Sequence, residues 1–194
     1  MKICTSLAIA MAFPVVLAAQ QPAPAPVANP IVAAFKARIT GLHRNIAQAF
    51  DSIPEAKFGY KPTPAQLSIG YIAQHVASDS YLFCDQFGAK KSSLPEKDTA
   101  TPDSVKATWP KDTLVAKLKA SFAFCQDAIG QLEDGKLADQ VTLTFGGRSR
   151  DVPRISMVLG HALDLADHYS QLANYMRLIG MLPPSALPRP RPGS

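Results

Sequence analysis

Apolar residues recur at helical spacing in four segments of the chain, separated by stretches that contain proline and glycine. Side chains three and four positions apart lie on one face of an α-helix, so each segment predicts an amphipathic helix. Pro54, Gly135 and Pro183 mark where three of these helices should end. The four predicted helices cover about residues 30–52, 64–87, 111–134 and 153–180.

Two long connections separate the predicted helices. Residues 88–110 are polar and contain proline, whereas residues 135–151 include an alternating run at 141–145 that predicts a short strand before the Gly146-Gly147 turn. Four helices joined by long crossovers favour an all-α four-helix bundle whose order is not simply up-down-up-down. We expect this single domain to span residues 31–182.

Both ends of the chain differ in composition from this domain. Residues 1–19 have Lys2, an apolar run and small residues at Ala18 and Ala19, which predicts a secretory signal peptide. The run is short for a membrane span, so we expect cleavage, a periplasmic or secreted protein and no stable membrane insertion; an uncleaved anchor is the alternative. Residues 20–30 predict a Pro/Ala linker, and residues 183–194 predict a Pro/Arg-rich tail.

Charge and motifs exclude several classes of protein. The 20 basic and 15 acidic residues give a net charge of +5, but the basic residues are scattered, so the sequence does not predict a nucleic-acid partner. None of the three glutamates belongs to a Glu-x-x-His motif, which argues against a ferritin-like di-iron site. The chain also lacks a phosphate loop, a dinucleotide fingerprint, a Gly-x-Ser-x-Gly elbow and a c-type haem motif.

Two cysteines, Cys84 and Cys125, remain after the predicted signal peptide, one near the middle of each of two predicted helices. In an oxidising compartment an even pair of cysteines predicts a disulfide, which would connect the two helices across about 40 residues. The alternative is a pair of buried thiols.

The fourth predicted helix carries three polar residues on its apolar stripe: His161, Asp164 and His168. At about 100° per residue these positions lie within roughly 60° of one another. Burying such side chains is unfavourable unless other groups satisfy them. They therefore predict either a hydrogen-bonded polar core or a metal site.

The second predicted helix carries a matching histidine, His75, with Tyr71 one turn before it and Asp79 one turn after it. Three ligands from two facing helices, with a position left open, are a common arrangement in catalytic metal sites. We expect Asp79, Tyr71 and Gln171 to support such ligands. His43, at the edge of the first helical stripe, is expected to be a surface histidine or one with satisfied hydrogen bonds.

Two motifs carry a family resemblance. The second helix contains Gln74-His75-Val76, and the fourth ends in a His-Tyr-x-Gln pattern from His168, followed by aromatic-x-Arg-Leu-x-Gly-x-x-Pro-Pro up to Pro184. The chain from about residue 30 to 184 thereby resembles the DinB-like (DinB/YfiT) metalloenzyme superfamily. The resemblance implies a four-helix bundle that binds a divalent metal, often zinc or nickel, through one histidine of helix 2 and a His-x-x-x-His pair of helix 4.

Carried over by position, His75 matches the helix 2 ligand and His168 the second histidine of the pair, whereas Asp164 stands where the first histidine is expected. Two histidines and a carboxylate remain a sound ligand set, more tolerant of manganese or iron. His161, one turn earlier, is the possible substitute ligand, and loss of the metal is the third possibility.

These observations lead to two hypotheses on function. The first is an exported hydrolase or thiol transferase that acts on a small molecule and depends on one divalent metal ion, namely zinc, nickel, manganese or iron. The alternative is a non-catalytic binding or stress-related module in which the His/Asp cluster is a hydrogen-bonded polar core. The family resemblance also makes a homodimer plausible.

Overall fold

The computed structural model describes residues 28–188. The predicted signal peptide, most of the predicted linker and the end of the predicted tail lie outside the described residues. The elements, in chain order, are the helices α1 (Pro30–Ser52), α2 (Ile69–Cys84), α3 (Glu96–Ala100), α4 (Asp103–Lys106) and α5 (Lys111–Ile129), the strands β1 (Gln140–Phe145) and β2 (Arg148–Pro153), and the helix α6 (Arg154–Leu178).

The four long helices form a bundle in which α1 and α2, although consecutive among the long helices, are not each other's main packing partners. Both α1 and α2 pack chiefly against α5 and α6, so α1 and α2 occupy opposite corners of the bundle. The apolar stripes of all four helices meet in one core, which includes the fully buried Ile39, Phe50, Ile72, Leu118 and Leu172. The all-α four-helix fold is confirmed, and the long crossovers are what make this order possible.

The segment after α5 caps the start of α1. The carboxylate of Asp134 accepts hydrogen bonds from the backbone N–H groups of Ile31 (3.0 Å) and Val32 (2.8 Å). These are among the free N–H groups that open a helix, so a carboxylate stabilises the helix start. Helix α5 ends earlier than predicted, at Ile129 with Gly130 as its C-cap, and Asp134 lies beyond it in the segment that caps α1.

Helix α2 is shorter than predicted and begins at Ile69. Ser68 is its N-cap, and the Ser68 hydroxyl accepts a hydrogen bond from the Tyr71 N–H at 3.1 Å. The Gly70 N–H donates to the Phe58 carbonyl at 2.7 Å. Since the helix start is fixed by this cap and by the preceding loop, residues 64–68 form a turn rather than the predicted first helical turn.

The predicted strand at 141–145 is present as β1, and it pairs in antiparallel register with β2 from Gln140↔Pro153 to Phe145↔Arg148. Gly146 and Gly147 connect the strands with φ values of 57° and 74°, a conformation that favours glycine. Helix α6 follows β2 without a gap. The hairpin therefore leads directly into the helix that carries most of the candidate ligands.

The domain extends past the predicted boundary at residue 182. Pro183 is buried, and the Ser185 N–H donates to the Tyr169 hydroxyl of α6 at 2.9 Å. The first part of the predicted tail thus belongs to the folded domain. Within the described range no helix combines the length and apolarity that crossing a bilayer requires.

A disulfide joins Cys84 at the end of α2 to Cys125 in α5, with 5.3 Å between the Cα atoms. Both residues are fully buried. The predicted pairing is thus present in the structure, and it connects two helices that pack directly against each other.

Candidate metal centre

Side chains of α2 and α6 converge where the two helices face each other. One ligand atom each from His75, Asp164 and His168 lies within 4.8 Å of the others. His168 Nε2 is 3.3 Å from Asp164 Oδ1, since the two residues are one turn apart on α6. The rings of His75 and His168 meet edge to face with centroids 4.7 Å apart. The structure therefore brings together the predicted ligand set; metal binding itself stays a prediction.

This cluster lies at the edge of the core rather than deep within it. The side chains of His75, Asp164 and His168 are 29%, 18% and 11% exposed. The sequence had placed Asp164 and His168 on an apolar stripe, but the stripe turns towards solvent at this level of the bundle. The cluster is therefore partly open to solvent on one side.

Two α6 residues fix the orientation of His168. Gln171 Nε2 donates to the Tyr175 hydroxyl at 3.3 Å, and Gln171 Oε1 lies 3.4 Å from His168 Nδ1. The Gln171 amide oxygen faces Nδ1 and can accept a hydrogen bond from it, while Nε2 points towards Asp164. Metal-binding histidines commonly have their second nitrogen held in this way. Gln171 thus occupies the supporting position predicted for it.

Asp79 and Tyr71 flank His75 on α2. Asp79 Oδ2 is 3.5 Å from His75 Nε2, and the Tyr71 ring stacks on the His75 ring with centroids 6.1 Å apart. Burial raises the pKa of Asp79, and the nearby carboxylate of Asp164 raises it further, against the opposing effect of His75. Asp79 is thereby a carboxylate able to hold or release a proton beside the cluster.

The charge balance of the cluster favours a cation. Burial alone would lower the pKa of His168, but the hydrogen bond and the charge of Asp164 raise it overall. Asp79 and Asp164 both face this histidine and its neighbour His75. When the imidazoles are neutral and the carboxylates ionised, the site carries two negative charges, which a divalent ion would neutralise.

One orphaned atom indicates that the residues fit a metal. Among residues 28–188, Asp164 Oδ2 is buried and has no hydrogen-bond partner. A buried carboxylate oxygen without a partner is unfavourable, and such atoms in native proteins call for an explanation. A cation beside Asp164 would supply one. The donor set of two imidazoles and a carboxylate suits zinc and also tolerates manganese or iron.

His161, the possible substitute ligand, belongs to a different cluster. Its Nε2 lies 3.4 Å from His43 Nε2 on α1 and 3.6 Å from Cys125 Sγ on α5. Seven residues separate it from His168, which is about 10 Å along the helix axis. The expectation that His161 could replace Asp164 is therefore wrong. Two side chains can point to the same side of a helix and still lie too far apart along its axis to bind one ion.

The second cluster is sealed from solvent. His43 is 5% exposed and His161 is 0% exposed. Burial lowers the pKa of His43 to about 3, and burial together with the His43 charge lowers the pKa of His161 to about 3, so both rings are neutral. His43 stacks on Phe122 with ring centroids 3.9 Å apart. The sequence signal was weak: His43 follows Leu42 at the margin of a stripe, where burial depends on the neighbouring helix.

The bundle and its edge-lying His/Asp/His group define a DinB-like fold with a candidate metal centre. The sequence model of the DinB superfamily matches residues 38–172. The chain therefore belongs to the DinB superfamily, and the predicted resemblance is confirmed.

Solved structures share the fold at low identity. A DinB-like protein from Bacillus cereus ATCC 10987 aligns with a TM-score of 0.60 and 17% identity over 80% of this chain and 97% of its own. A mycothiol-dependent maleylpyruvate isomerase aligns with a TM-score of 0.56 and 12% identity, over 73% of this chain and 59% of its own. A conserved protein from Enterococcus faecalis aligns with a TM-score of 0.55 and 16% identity, over 76% and 95% of the two chains. No curated protein matches the sequence.

Proposed function

We propose that this protein binds one divalent metal ion through His75, Asp164 and His168 and hydrolyses a small molecule at that site. The observation that carries the proposal is the convergence of three donor atoms within 4.8 Å, one of them on a carboxylate whose other oxygen has no partner within the described residues. A divalent ion held by three protein ligands would supply Lewis acidity and acidify a bound water.

The surrounding side chains have distinct roles in this proposal. Gln171 keeps the proton on Nδ1 of His168, so that Nε2 is free to act as a ligand. Asp79, 3.5 Å from His75, accepts a proton from the attacking water, and its raised pKa suits a group that must also release that proton. The exposed side of the cluster admits the substrate.

Thiol transfer is the second candidate. The solved mycothiol-dependent maleylpyruvate isomerase has the same fold, although its 12% identity supports the fold alone. Hydrolysis ranks first because we also propose that residues 1–19 direct export to the periplasm or beyond. The Cys84–Cys125 disulfide is typical of such oxidising compartments, in which cytosolic thiol cofactors are scarce.

Metal titration of stripped protein tests the proposal. With the disulfide intact, zinc, nickel, manganese and ferrous ions are added separately, while bound metal is counted and thermal unfolding is recorded. We expect one ion per chain and a higher Tm, since binding to the native state alone adds about 2.7 kcal/mol at a hundredfold excess over Kd. Metal-loaded protein should then cleave members of a panel of small esters, amides or lactones.

The matched variants are His168→Ala and Asp167→Asn. His168→Ala removes a proposed ligand and should abolish both metal binding and hydrolysis. Asp167→Asn changes a charge at the exposed neighbouring position and should retain both. If every ion leaves the Tm unchanged, or if the two variants lose metal equally, the cluster is a hydrogen-bonded polar core of a non-catalytic module.

A further inference from the structure

The buried cluster of His43, His161 and Cys125 has the spacing of a tetrahedral metal site. Bonds of about 2.0–2.1 Å to nitrogen and about 2.3 Å to sulfur put tetrahedral ligands roughly 3.4 Å apart for two nitrogens and roughly 3.6 Å apart for nitrogen and sulfur. The observed separations are 3.4 Å between the two Nε2 atoms and 3.6 Å between His161 Nε2 and Cys125 Sγ. All three donor atoms lie within 4.8 Å of one another.

The disulfide decides whether this cluster has a sulfur ligand. Cys125 is bonded to Cys84, and a disulfide sulfur is not a thiolate. Reduction would release a thiol on Cys125 beside both histidines and a second thiol on Cys84. The Cys84 sulfur is not one of the donor atoms that lie within 4.8 Å of one another, and it would have to turn towards the ion once the S–S bond is broken. Two imidazoles and two thiolates form the ligand set typical of tetrahedral zinc.

We propose that the Cys84–Cys125 disulfide and a zinc ion are alternative occupants of one core position, so that reduction converts the disulfide into a zinc site formed by His43, His161, Cys125 and Cys84. This site is separate from the His75 centre and does not rest on the function proposed for it.

The redox step balances with a dithiol as reductant. The dithiol gives two electrons and two protons to the S–S bond and becomes a disulfide itself, while Cys84 and Cys125 become thiols. Zinc then displaces one proton from each thiol. Two thiolates neutralise the ion, so the core receives no net charge, which is the condition for burying ions in an apolar environment.

The surroundings suit a dry, closed site. The His161 ring lies among aromatic side chains, with centroid distances of 5.7 Å to Phe83 and 5.9 Å to Phe87. Phe83 also contacts Gly160, where an added Cβ would come within 2.9 Å of the ring. Closed coordination without an open position is characteristic of structural rather than catalytic zinc sites.

Gln126 allows His43 to change its protonated nitrogen. As it stands, Gln126 Nε2 donates to His43 Nδ1 at 3.0 Å, and Thr40 Oγ1 donates to Gln126 Oε1 at 3.1 Å. Rotating the amide by half a turn presents its oxygen to Nδ1, and the Thr40 hydroxyl can then accept instead of donate. His43 then carries its proton on Nδ1, held as in metal-bound histidines, and Nε2 is free to bind.

Cobalt and zinc titrations test the proposal in a His75→Ala/His168→Ala background, so that the two centres cannot be confused. The protein is unfolded with dithiothreitol, refolded anaerobically, and compared with the oxidised form. We expect the reduced protein to bind one zinc per chain, to show thiolate-to-cobalt charge-transfer absorption with cobalt, and to resist alkylation of both cysteines when zinc is bound. The oxidised protein should show none of these signals.

Two matched variants test the two sulfur ligands. Cys84→Ser and Cys125→Ser each abolish the disulfide and each keep one proposed sulfur ligand, and the sulfur that lies 3.6 Å from His161 remains in Cys84→Ser. Both variants should bind cobalt without any reductant, each with a weaker thiolate band than the reduced parent protein. Equal binding by oxidised and reduced protein, a band in either variant as strong as that of the reduced parent, or unprotected cysteines in the zinc-treated reduced protein would each overturn the proposal.

Discussion

The two histidine clusters share helix α6 but have opposite chemistry. The His75–Asp164–His168 cluster is partly exposed and rich in carboxylates, whereas the His43–His161–Cys125 cluster is sealed, contains sulfur and is surrounded by aromatic rings. His161 and His168 point in nearly the same direction, about two turns apart. The helices that face α6 therefore determine which side chains surround each of its histidines. Helix α2 places His75 beside His168, and α1 and α5 place His43 and Cys125 beside His161.

The histidines of the two clusters also differ in the direction of their pKa shifts. Burial without a nearby carboxylate keeps His43 and His161 neutral, while Asp164 raises the pKa of His168 despite the opposing effect of burial. The same residue type thus contributes stability with opposite pH dependence in the two clusters. Four experiments test this contrast, in order of decreasing expected effect.

Acid should destabilise the sealed cluster most. The pKa values of His43 and His161 are about 3 in the folded protein against 6.5 ordinarily, so the unfolded chain binds protons first as the pH falls. Their contribution is complete above pH 6.5 and is lost towards pH 3. At about 1.4 kcal/mol per pH unit for each group, urea unfolding at pH 6.5 and 4.5 should differ by on the order of 4 kcal/mol.

His161→Leu isolates this effect. The variant should lower the slope of unfolding free energy against pH by about 1.4 kcal/mol per pH unit, since one proton-binding difference disappears. Parallel profiles for the wild type and His161→Leu would show that His161 is not held neutral by burial.

Loss of the disulfide should rank second. With EDTA present, the Cys84→Ala/Cys125→Ala double variant should lose about 3–4 kcal/mol of unfolding free energy, because the 41-residue separation leaves a large loop free in the unfolded chain. Urea midpoints measure the loss. Adding a dithiol should destabilise the wild type similarly and leave the double variant unchanged; a wild type insensitive to reduction would contradict the pairing.

Removal of Gln171 should weaken metal binding at the exposed cluster without destroying it. Gln171→Leu leaves the three proposed ligands in place but frees His168 Nδ1, and loss of such a partner typically lowers metal affinity about 10–100-fold. Competition with a chromophoric chelator measures the change. Ser170→Ala, at an exposed neighbouring position, is the control and should retain full affinity.

The smallest effect concerns His168 in metal-free protein. Its pKa is raised, so its contribution to stability is present below the ordinary value and is lost as the pH rises through the folded pKa. For a pair near the surface we expect a change within about 1 kcal/mol. NMR titration should show a lower pKa for His168 in Asp164→Asn; an unchanged pKa would mean that Asp164 does not hold the ring.

Local sequence patterns accounted for much of the fold. The spacing of Ile39, Leu42 and Ile46 predicts α1 over the residues at which it is found, and the alternating run before Gly146-Gly147 predicts β1. The start of α2 and the end of α5 were misplaced, since α2 begins only after the Ser68 cap and α5 ends at Ile129 with Gly130, rather than Gly135, as its C-cap. Asp134 caps α1 from 102 residues away, a role that no local pattern indicates.

Part of the proposed ligand set could also be predicted from local sequence patterns. His75 and His168 are recognisable by their motifs, and Asp164 by its position one turn before His168. His161 was predicted to be able to replace Asp164, whereas it lies about two turns from His168 along α6. Its neighbours there, His43 and Cys125, were not predicted to lie beside it. Helical periodicity gives the direction of a side chain, but not which helix it faces.

The family, the helical segments, the cysteine pair and the residues able to bind a metal follow from periodicity, spacing and side-chain chemistry, which are local properties of the chain. That α6 contributes to two separate clusters, one partly exposed and the other sealed, becomes visible only in the folded bundle. Burial, pKa and ligand geometry depend on the helices that pack against α6, and two of these, α1 and α2, lie far from it in the chain.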